Sequence, residues 1–294
     1  MGLNGEKASI HPAQTRDAAR LSLPRTMTRC QLAADRPWKP PLGFACVTVR
    51  RIAGRVRRAL HEPVSELAEY DDSERIAAAV ARIQPHTMVG PRALATLWQQ
   101  VTWVDRRRVP GALVECGVWH GGAAALMAQA SLSSGTPRRL HLFDSFEGIP
   151  DAEPGDGDRA IRETGGTATG ALSVAYDYAD RGGPGSPTQV SGLLARIGYP
   201  LERVEFHVGW FQDTVPASDT GVIAVLRLDG DLYASTKVCL EGLYPRVAPG
   251  GIVVIDDYGA YDGCRSAVDE YLSANGSPYL HHVDVNARYI VKPA

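Results

Sequence analysis

The sequence predicts an α/β fold in which helices cover both faces of a mostly parallel β-sheet. Short apolar, β-branched runs recur along the chain and alternate with segments whose apolar residues have helical spacing. The clearest unit is 222–258, where the run VIAVLRL, a helical segment and the run GIVVI follow one another. Two parallel strands joined by a crossover helix are the repeating unit of such a sheet.

The first 60 residues differ from the rest of the chain in charge. They hold twelve Lys or Arg against three Asp or Glu, whereas all 294 residues carry 31 against 33. We expect 1–60 to be a basic, disordered or loosely ordered extension, or to reflect a start placed upstream of the true one. A nucleic-acid-binding arm is the alternative, but only Trp38 and Phe44 accompany the basic residues. We therefore expect no nucleic-acid partner.

Cysteine usage and hydropathy both favour a cytoplasmic protein. The five cysteines are scattered and odd in number, which favours reduced thiols over a disulfide framework. The longest apolar run near the start, 41–49, is too short to span a bilayer, and no cleavable secretory signal follows the basic start. The sequence thus predicts no membrane partner.

Residues 61–110 are predicted to form a helical cap or lid ahead of the sheet. Helical spacing extends over 65–83 and again over 91–108, with Pro91 suited to a first turn. The first strand, ALVECGV at 112–118, then enters the glycine-rich turn VECGVWHGG and a helix. Such a turn lets backbone N–H groups approach a ligand closely.

The acid in this turn indicates a cationic ligand. The spacing is not the G-x-G-x-x-G pattern of dinucleotide sites, and Glu115 at the strand end suits a positive group better than a pyrophosphate. S-adenosylmethionine (SAM), with its ammonium and sulfonium centres, is such a ligand. Asp144 ends the second strand, where this fold class places the acid that binds ribose hydroxyls. Helix capping is the alternative for Asp144, and Glu147 is a less favoured ribose partner.

The segments that follow Asp144 are predicted to cover the cofactor site and to form one of its sides. Residues 150–200 are poor in apolar residues and rich in Gly and Pro, which predicts a lid or binding loop with one short helix at 191–197. Trp210 and Phe211 follow the third strand, where they suit a wall for the adenine ring or serve as ordinary packing. The chain is predicted to close with an antiparallel strand or hairpin.

Carboxylates follow two strands that we expect to be neighbours. Asp229 and Asp231 come after the run at 222–228, and Asp256 and Asp257 come after GIVVI. Since adjacent strands lie about 4.8 Å apart, Asp229 and the pair should converge, and their repulsion calls for a cation. An all-oxygen set favours Mg²⁺ over zinc. The alternative is that Asp229 and Asp257 cap helices while Asp256 is exposed.

Five separated motifs resemble the macrocin O-methyltransferase family: VECGVWHGG, FDSFEGIPD, GWFQDTVP, LRLDGDLYAST and GGIVVIDDY. Those are class I enzymes, with a Rossmann-like, mostly parallel seven-stranded sheet, that use SAM and Mg²⁺ to methylate sugar hydroxyls on macrolides and other natural products. The resemblance covers residue 87 to the C terminus and implies a methyltransferase domain over 111–294, with its lid at about 150–200. The basic extension and a Gly- and Pro-rich insert at 179–187 depart from the family pattern and leave the acceptor open.

The resemblance also implies roles for single residues. Asp229, Asp256 and Asp257 would hold the metal, and Asp229 would be the catalytic base. The implied cofactor-binding residues are Thr87, Met88, Val89, Glu115, Gly117, Trp119, Gly121, Asp144, Ser145, Trp210, Phe211 and Asp229. Catechol O-methyltransferases resemble the chain more loosely and use a lysine base at the position that Leu232 occupies here.

We therefore expect a SAM- and Mg²⁺-dependent O-methyltransferase that acts on a small-molecule glycoside. The family likeness implies a homodimer or a higher homo-oligomer. A catechol- or phenol-type methyltransferase and a non-catalytic SAM-binding protein are the alternatives, and the metal triad argues against the second. A NAD(P)-dependent reductase is disfavoured by the missing dinucleotide spacing.

Overall fold

A computed structural model of the chain describes residues 73–135, 137–164 and 183–294. All of them belong to one compact unit, Val64–Ala294. Its centre is a seven-stranded, mostly parallel sheet with helices against both faces, which confirms the predicted fold class. The predicted N-terminal extension, residues 65–72 of the first predicted helix and much of the predicted lid lie outside the described residues.

The sheet has five parallel strands and an antiparallel edge. Its strands are β1 (Ala112–Cys116), β2 (Leu140–Asp144), β3 (Val204–Val208), β4 (Ile223–Leu228), β5 (Val247–Ile255), β6 (His281–His282) and β7 (Arg288–Val291). Their order is β3-β2-β1-β4-β5-β7-β6. Strand β7 runs antiparallel to β5, and β6 runs antiparallel to β7, which confirms the predicted C-terminal hairpin.

The helices lie between the strands along the chain. They are α1 (Ser73–Ile83), α2 (Pro91–Arg106), α3 (Gly122–Ser133), α4 (Gly157–Thr164), α5 (Pro187–Arg196), α6 (Phe211–Ala217), α7 (Tyr233–Leu243) and α8 (Asp262–Ala274). Helices α1 and α2 pack against α3. None of the helices in the described ranges is long and apolar enough to cross a membrane.

The central strands are buried on both faces, as their unbroken apolar runs predict. Every residue of β1 and β4 is buried. Because side chains alternate across a strand, Leu113 and Val225 enter one core while Val114 and Leu226 enter the core on the opposite face. The carboxyl ends of the five parallel strands therefore lie along one edge of a sheet whose central strands are buried on both faces.

The segment predicted as a single lid contains more helix than expected. Helix α4 lies within it, and α5 begins at Pro187, four residues earlier than predicted. The start is explained by Ser186, whose hydroxyl oxygen accepts the N–H of Gln189 at 3.2 Å. Ser-Pro at a helix start is a local signal that the low apolar content of the segment obscures.

One arginine ties the end of α2 to the start of β2. The Arg138 guanidinium pairs with Asp105 at the end of α2, and it donates to the carbonyl oxygens of Gly111 at 2.6 Å and Val109 at 2.8 Å. The Arg138 side chain is 13% exposed, so water screens these contacts little.

Replacing this arginine should destabilise the fold without touching the cleft. We expect Arg138→Met to lower the free energy of unfolding by about 2–4 kcal/mol, because it leaves the Asp105 carboxylate without its counter-charge. Chemical denaturation measures the change. Arg139→Met is the matched control, since Arg139 is exposed and its loss should cost less than about 0.5 kcal/mol. Equal losses in the two variants would contradict the anchoring role.

Candidate active site

A cleft of about 1010 Å³ opens at the carboxyl ends of the parallel strands. Most of the predicted site residues line it: Thr87, Met88, Val89, Glu115, Gly117, Trp119, Asp144, Ser145, Trp210, Phe211, Asp229, Asp256 and Asp257. Gly121 is the exception. It precedes α3 and packs under the cleft, where a Cβ would lie 2.8 Å from Val190. Its contact is therefore with the protein interior rather than with the lining.

The glycine turn after β1 is in direct contact with the end of β4. Gly117 has φ +88, and a Cβ on it would lie 1.9 Å from the carbonyl oxygen of Asp229. The N–H of Asp229 in turn donates to the carbonyl of Cys116 at 2.9 Å. A side chain is excluded here both by the backbone conformation and by space. The turn and the first acidic residue after β4 are thus held as one unit.

Asp144 organises the same turn from the neighbouring strand. One of its carboxylate oxygens accepts the N–H groups of Val118 at 2.6 Å and Trp119 at 2.9 Å, and the other accepts that of Phe146 at 2.7 Å. Burial raises the pKa of Asp144 although these bonds oppose the shift. The carboxylate faces the cleft and fixes the loop around it, a role that the sequence did not indicate.

Two further segments close the sides of the cleft. Thr87, Met88 and Val89 connect α1 to α2, and the Thr87 hydroxyl accepts the N–H of Val89 at 3.1 Å. The side-chain amide of Gln84 donates to the carbonyl of Val89 at 3.2 Å, which fixes this connection. On the other side, Trp210 occupies the position just before α6, whose first residue is Phe211.

Three carboxylates in the cleft lie close enough to share an ion. Oxygens of Asp229, Asp231 and Asp257 all lie within 4.8 Å of one another. The N–H of Asp231, which has φ 56, donates to Asp257 at 3.2 Å. Burial, and then the charges of Asp229 and Asp256, raise the pKa of Asp231 to about 8. Burial and the charge of Asp231 raise the pKa of Asp257 well above its ordinary value.

This set differs from the predicted Asp229, Asp256 and Asp257 in one member. The carboxylate of Asp256 lies 3.2 Å from Nη2 of Arg227 instead. Asp231 has a left-handed backbone conformation, and its carboxylate joins the group. The prediction rested on the convergence of two neighbouring strand ends and on the family resemblance, and β4 itself ends at Leu228, before these acids.

Arg227 is the functional residue that the sequence analysis missed. It is 2% exposed, and its Nη1 lies 2.7 Å from Glu115 and 2.9 Å from Asp229. One guanidinium therefore faces three carboxylates, including Asp256. Burial raises the pKa of Glu115 to about 8, although Arg227 opposes the shift. An arginine inside the run VIAVLRL was the signal, because an arginine is rarely buried unless it is paired.

The sheet order, the glycine turn and the acidic cleft define a class I SAM-dependent methyltransferase fold. The chain belongs to the macrocin O-methyltransferase family, whose model matches residues 27–292. It is accordingly an O-methyltransferase, which confirms the resemblance drawn from the five motifs.

Three relatives come from species of Streptomyces and Micromonospora. The chain is 42% identical to the 8-demethyl-8-(2,3-dimethoxy-alpha-L-rhamnosyl)-tetracenomycin-C 4'-O-methyltransferase of Streptomyces olivaceus, over 65% of this chain and 69% of that protein. It is 40% identical to the demethyldecarbamoylnovobiocin O-methyltransferase of Streptomyces niveus, over 63% and 67%. It is 36% identical to the mycinamicin III 3''-O-methyltransferase of Micromonospora griseorubida, over 65% and 72%.

Solved structures give the same assignment. The O-methyltransferase NovP superposes with a TM-score of 0.61 at 34% identity, over 71% of this chain and 83% of that one. The calicheamicin methyltransferase CalS11 superposes with a TM-score of 0.51 at 21% identity, over 88% and 99%, and supports the fold alone.

The contact between Gly117 and Asp229 gives a direct test of the site. We expect Gly117→Ala to weaken binding of S-adenosylhomocysteine (SAH), measured by calorimetry, about tenfold or more, because the new methyl must push the turn away from β4. Gly135→Ala is the matched control: Gly135 has φ +82 but open space around it. Both variants carry about 1–3 kcal/mol of backbone strain, so only displacement of the turn separates them. Unchanged SAH binding by Gly117→Ala would contradict the close contact.

Proposed function

We propose that the protein transfers the methyl group of SAM to a sugar hydroxyl of a glycosylated natural product and that a divalent cation, Mg²⁺ by preference, assists. The observation that carries this proposal is the group of three carboxylates, Asp229, Asp231 and Asp257, in a cleft beside the glycine turn. The printed names of the relatives point the same way, since one of them names a rhamnosyl-bearing substrate.

The residues of the cleft suit SAM. Oε2 of Glu115 is buried and has no hydrogen-bond partner among the described residues, while Oε1 pairs with Arg227. A buried acceptor without a partner is costly, and the ammonium group of SAM would satisfy it. We propose that Asp144 at the tip of β2 binds the ribose hydroxyls and that Trp210 and Phe211 contact the adenine ring. SAM supplies the electrophilic methyl group.

The residues also suit a hard cation. Three carboxylates whose oxygens lie within 4.8 Å of one another offer only oxygen ligands. Burial, and after it the charges of neighbouring carboxylates, raise the pKa of Asp231 and of Asp257, and a cation among them would relieve that repulsion. We propose Asp229 and Asp257 as two of the ligands. Asp231 is the third in this arrangement, and Asp256 becomes a ligand only if its carboxylate leaves Arg227.

Asp229 is the proposed general base. It accepts the proton of the acceptor hydroxyl as the oxygen attacks the methyl carbon, and a bound Mg²⁺ would supply positive charge that stabilises the ionised hydroxyl. Arg227 holds the Asp229 carboxylate at 2.9 Å, which orients it towards the cleft. The glycine turn and Trp210, on opposite sides of the cleft, would align the methyl donor with the acceptor hydroxyl. Such alignment of the reacting groups lowers the barrier of bimolecular reactions strongly.

A catechol-type lysine base has no counterpart here. No lysine is present among the described residues that line the cleft. Leu232 lies just before α7 and is 3% exposed. The lysine of α7, Lys237, donates to Glu270 at 3.0 Å. This supports Asp229 as the base.

The activity itself is tested by mass spectrometry. The 294-residue chain is incubated with SAM, Mg²⁺ and a panel of rhamnosylated or other deoxysugar glycosides, and we expect one methyl group on a sugar hydroxyl. A parallel panel of catechols and free aglycones is the control. Methylation of catechols with none of the glycosides would contradict the sugar-hydroxyl assignment.

Substitution of the acids tests the proposed base, Asp229, and a ligand that is not the base, Asp257. We expect Asp229→Asn to lower kcat by about 10²–10⁴-fold, because it removes the proton acceptor. Asp257→Asn should weaken Mn²⁺ binding, followed by electron paramagnetic resonance, about tenfold or more. Asp213→Asn is the control, since Asp213 is exposed in α6, outside the cleft lining. Full turnover by Asp257→Asn in excess EDTA would refute the metal site.

Mn²⁺ binding by two further variants identifies the third ligand of the ion, Asp231 or Asp256. If the arrangement in the structure holds when the ion binds, Asp231→Asn weakens Mn²⁺ binding more than Asp256→Asn does. The reverse order would show that Asp256 leaves Arg227 for the ion, as the family resemblance implies.

A further inference from the structure

A second group of possible metal ligands lies away from the cleft, on the edge of the sheet. His141 of β2 lies opposite Glu205 of β3, the edge strand, and His207 is two residues further along β3. Since side chains alternate across a strand, all three project from the same face. Asp144 is three residues beyond His141, so the group lies about 10 Å from the cleft end of β2.

The distances within the group match one coordinated ion. Nδ1 of His141 lies 3.1 Å from Nε2 of His207, and the Glu205 oxygens lie 3.6 Å from His141 and 3.7 Å from His207. A tetrahedral ion with bonds of about 2.0–2.2 Å holds its ligand atoms about 3.3–3.6 Å apart. An ion therefore fits between these atoms with shifts of a few tenths of an ångström.

Packing fixes the orientation of the two imidazole rings. The ring of His207 stacks on that of Phe143, with centroids 4.0 Å apart and planes 9° apart. Burial lowers the pKa of His141 and of His207, although the charge of Glu205 opposes the shift. The side chains of the two histidines are 2% and 11% exposed, whereas that of Glu205 is 50% exposed. An ion would enter past Glu205.

Nothing in the catalytic chemistry of the cleft uses these residues. Without an ion the two imidazoles can share one hydrogen bond, and Nε2 of His141 is buried with no partner among the described residues. The buried ring of His141 and the half-buried ring of His207 therefore share a single hydrogen bond beside a carboxylate. An ion bound to the facing nitrogens and to Glu205 would leave Nε2 of His141 unsatisfied but would give the three side chains a common partner.

We propose that His141, Glu205 and His207 form a binding site for a transition-metal ion that prefers imidazole ligands, with Zn²⁺ as the representative ion. Its nitrogen-rich ligand set separates it from the all-oxygen group in the cleft, because imidazole selects zinc-like ions and carboxylates select Mg²⁺. The ion would join β3 to β2. Since β3 leads directly into Trp210 and Phe211, it would also steady that wall of the cleft.

The affinity should be moderate. Ligating histidines usually donate their second ring N–H to a partner, and loss of that support weakens metal binding about 10–100-fold. Because Nε2 of His141 lacks such a partner among the described residues, we expect a dissociation constant on the order of micromolar rather than nanomolar.

Calorimetry and Co²⁺ absorption spectroscopy test the site. The untagged 294-residue chain is titrated with Zn²⁺, and separately with Co²⁺, in the presence of excess Mg²⁺ that saturates the carboxylates of the cleft. We expect about one equivalent to bind, visible d–d bands of tetrahedral Co²⁺, and a rise in Tm with added Zn²⁺. No binding at about 100 μM Zn²⁺ would overturn the proposal, since micromolar affinity is then excluded.

Variants assign the ligands. Glu205→Gln is chosen because Glu205 is half exposed, so the chain should keep its metal-free Tm, and His207→Gln removes a ring nitrogen. Each should weaken Zn²⁺ binding about tenfold or more and abolish the Co²⁺ bands. The double variant His281→Gln, His282→Gln and the variant Asp257→Asn are controls that should bind Zn²⁺ as the unmodified chain does. Unaltered binding by His207→Gln, or loss of binding in the His281–His282 control, would overturn the assignment.

Discussion

The structure depends on one buried guanidinium that faces three carboxylates. Arg227 contacts Glu115 on β1, Asp229 at the end of its own strand and Asp256 at the end of β5, so three neighbouring strands meet at a single charge. Breaking such a pair in a dry interior leaves carboxylates without compensation, a cost of about 3–5 kcal/mol. Three carboxylates that line the cleft are therefore held together by a cation that belongs to the protein itself. One of them, Asp229, is also a member of the group of Asp229, Asp231 and Asp257, so Arg227 fixes one corner of the proposed metal site.

The parts of the fold that follow from local periodicity could be predicted from the sequence. Runs such as VIAVLRL and GIVVI are buried on both faces and form β4 and most of β5. The positions of Asp144 and the glycine turn follow from strand order, because ligands collect at the carboxyl ends of parallel strands. For the same reason all but one of the predicted site residues lie in a single cleft.

What could not be predicted is the direction of side chains beyond the last extended residue. Asp231 joins Asp229 and Asp257 because its backbone is left-handed, and the sequence shows only that Gly230 precedes it. The Asp256 carboxylate lies against Arg227 because a buried guanidinium needs nearby carboxylates as counter-charges. Those carboxylates come from three different strands, so local sequence does not reveal the pairing. Gly121 lies outside the cleft lining for a similar reason: whether a glycine faces a ligand or Val190 is settled by packing.

The contact of Gly117 with the backbone of Asp229 has a thermodynamic consequence. The glycine turn after β1 and the end of β4 cannot shift independently, so a displacement of one displaces the other. Occupancy by donor and by ion should therefore be linked, and such linkage is reciprocal: whatever factor the ion adds to the affinity for SAH, SAH must add to the affinity for the ion. With positive coupling the complex that holds both donor and ion is favoured over either half-loaded form, and with negative coupling it is disfavoured.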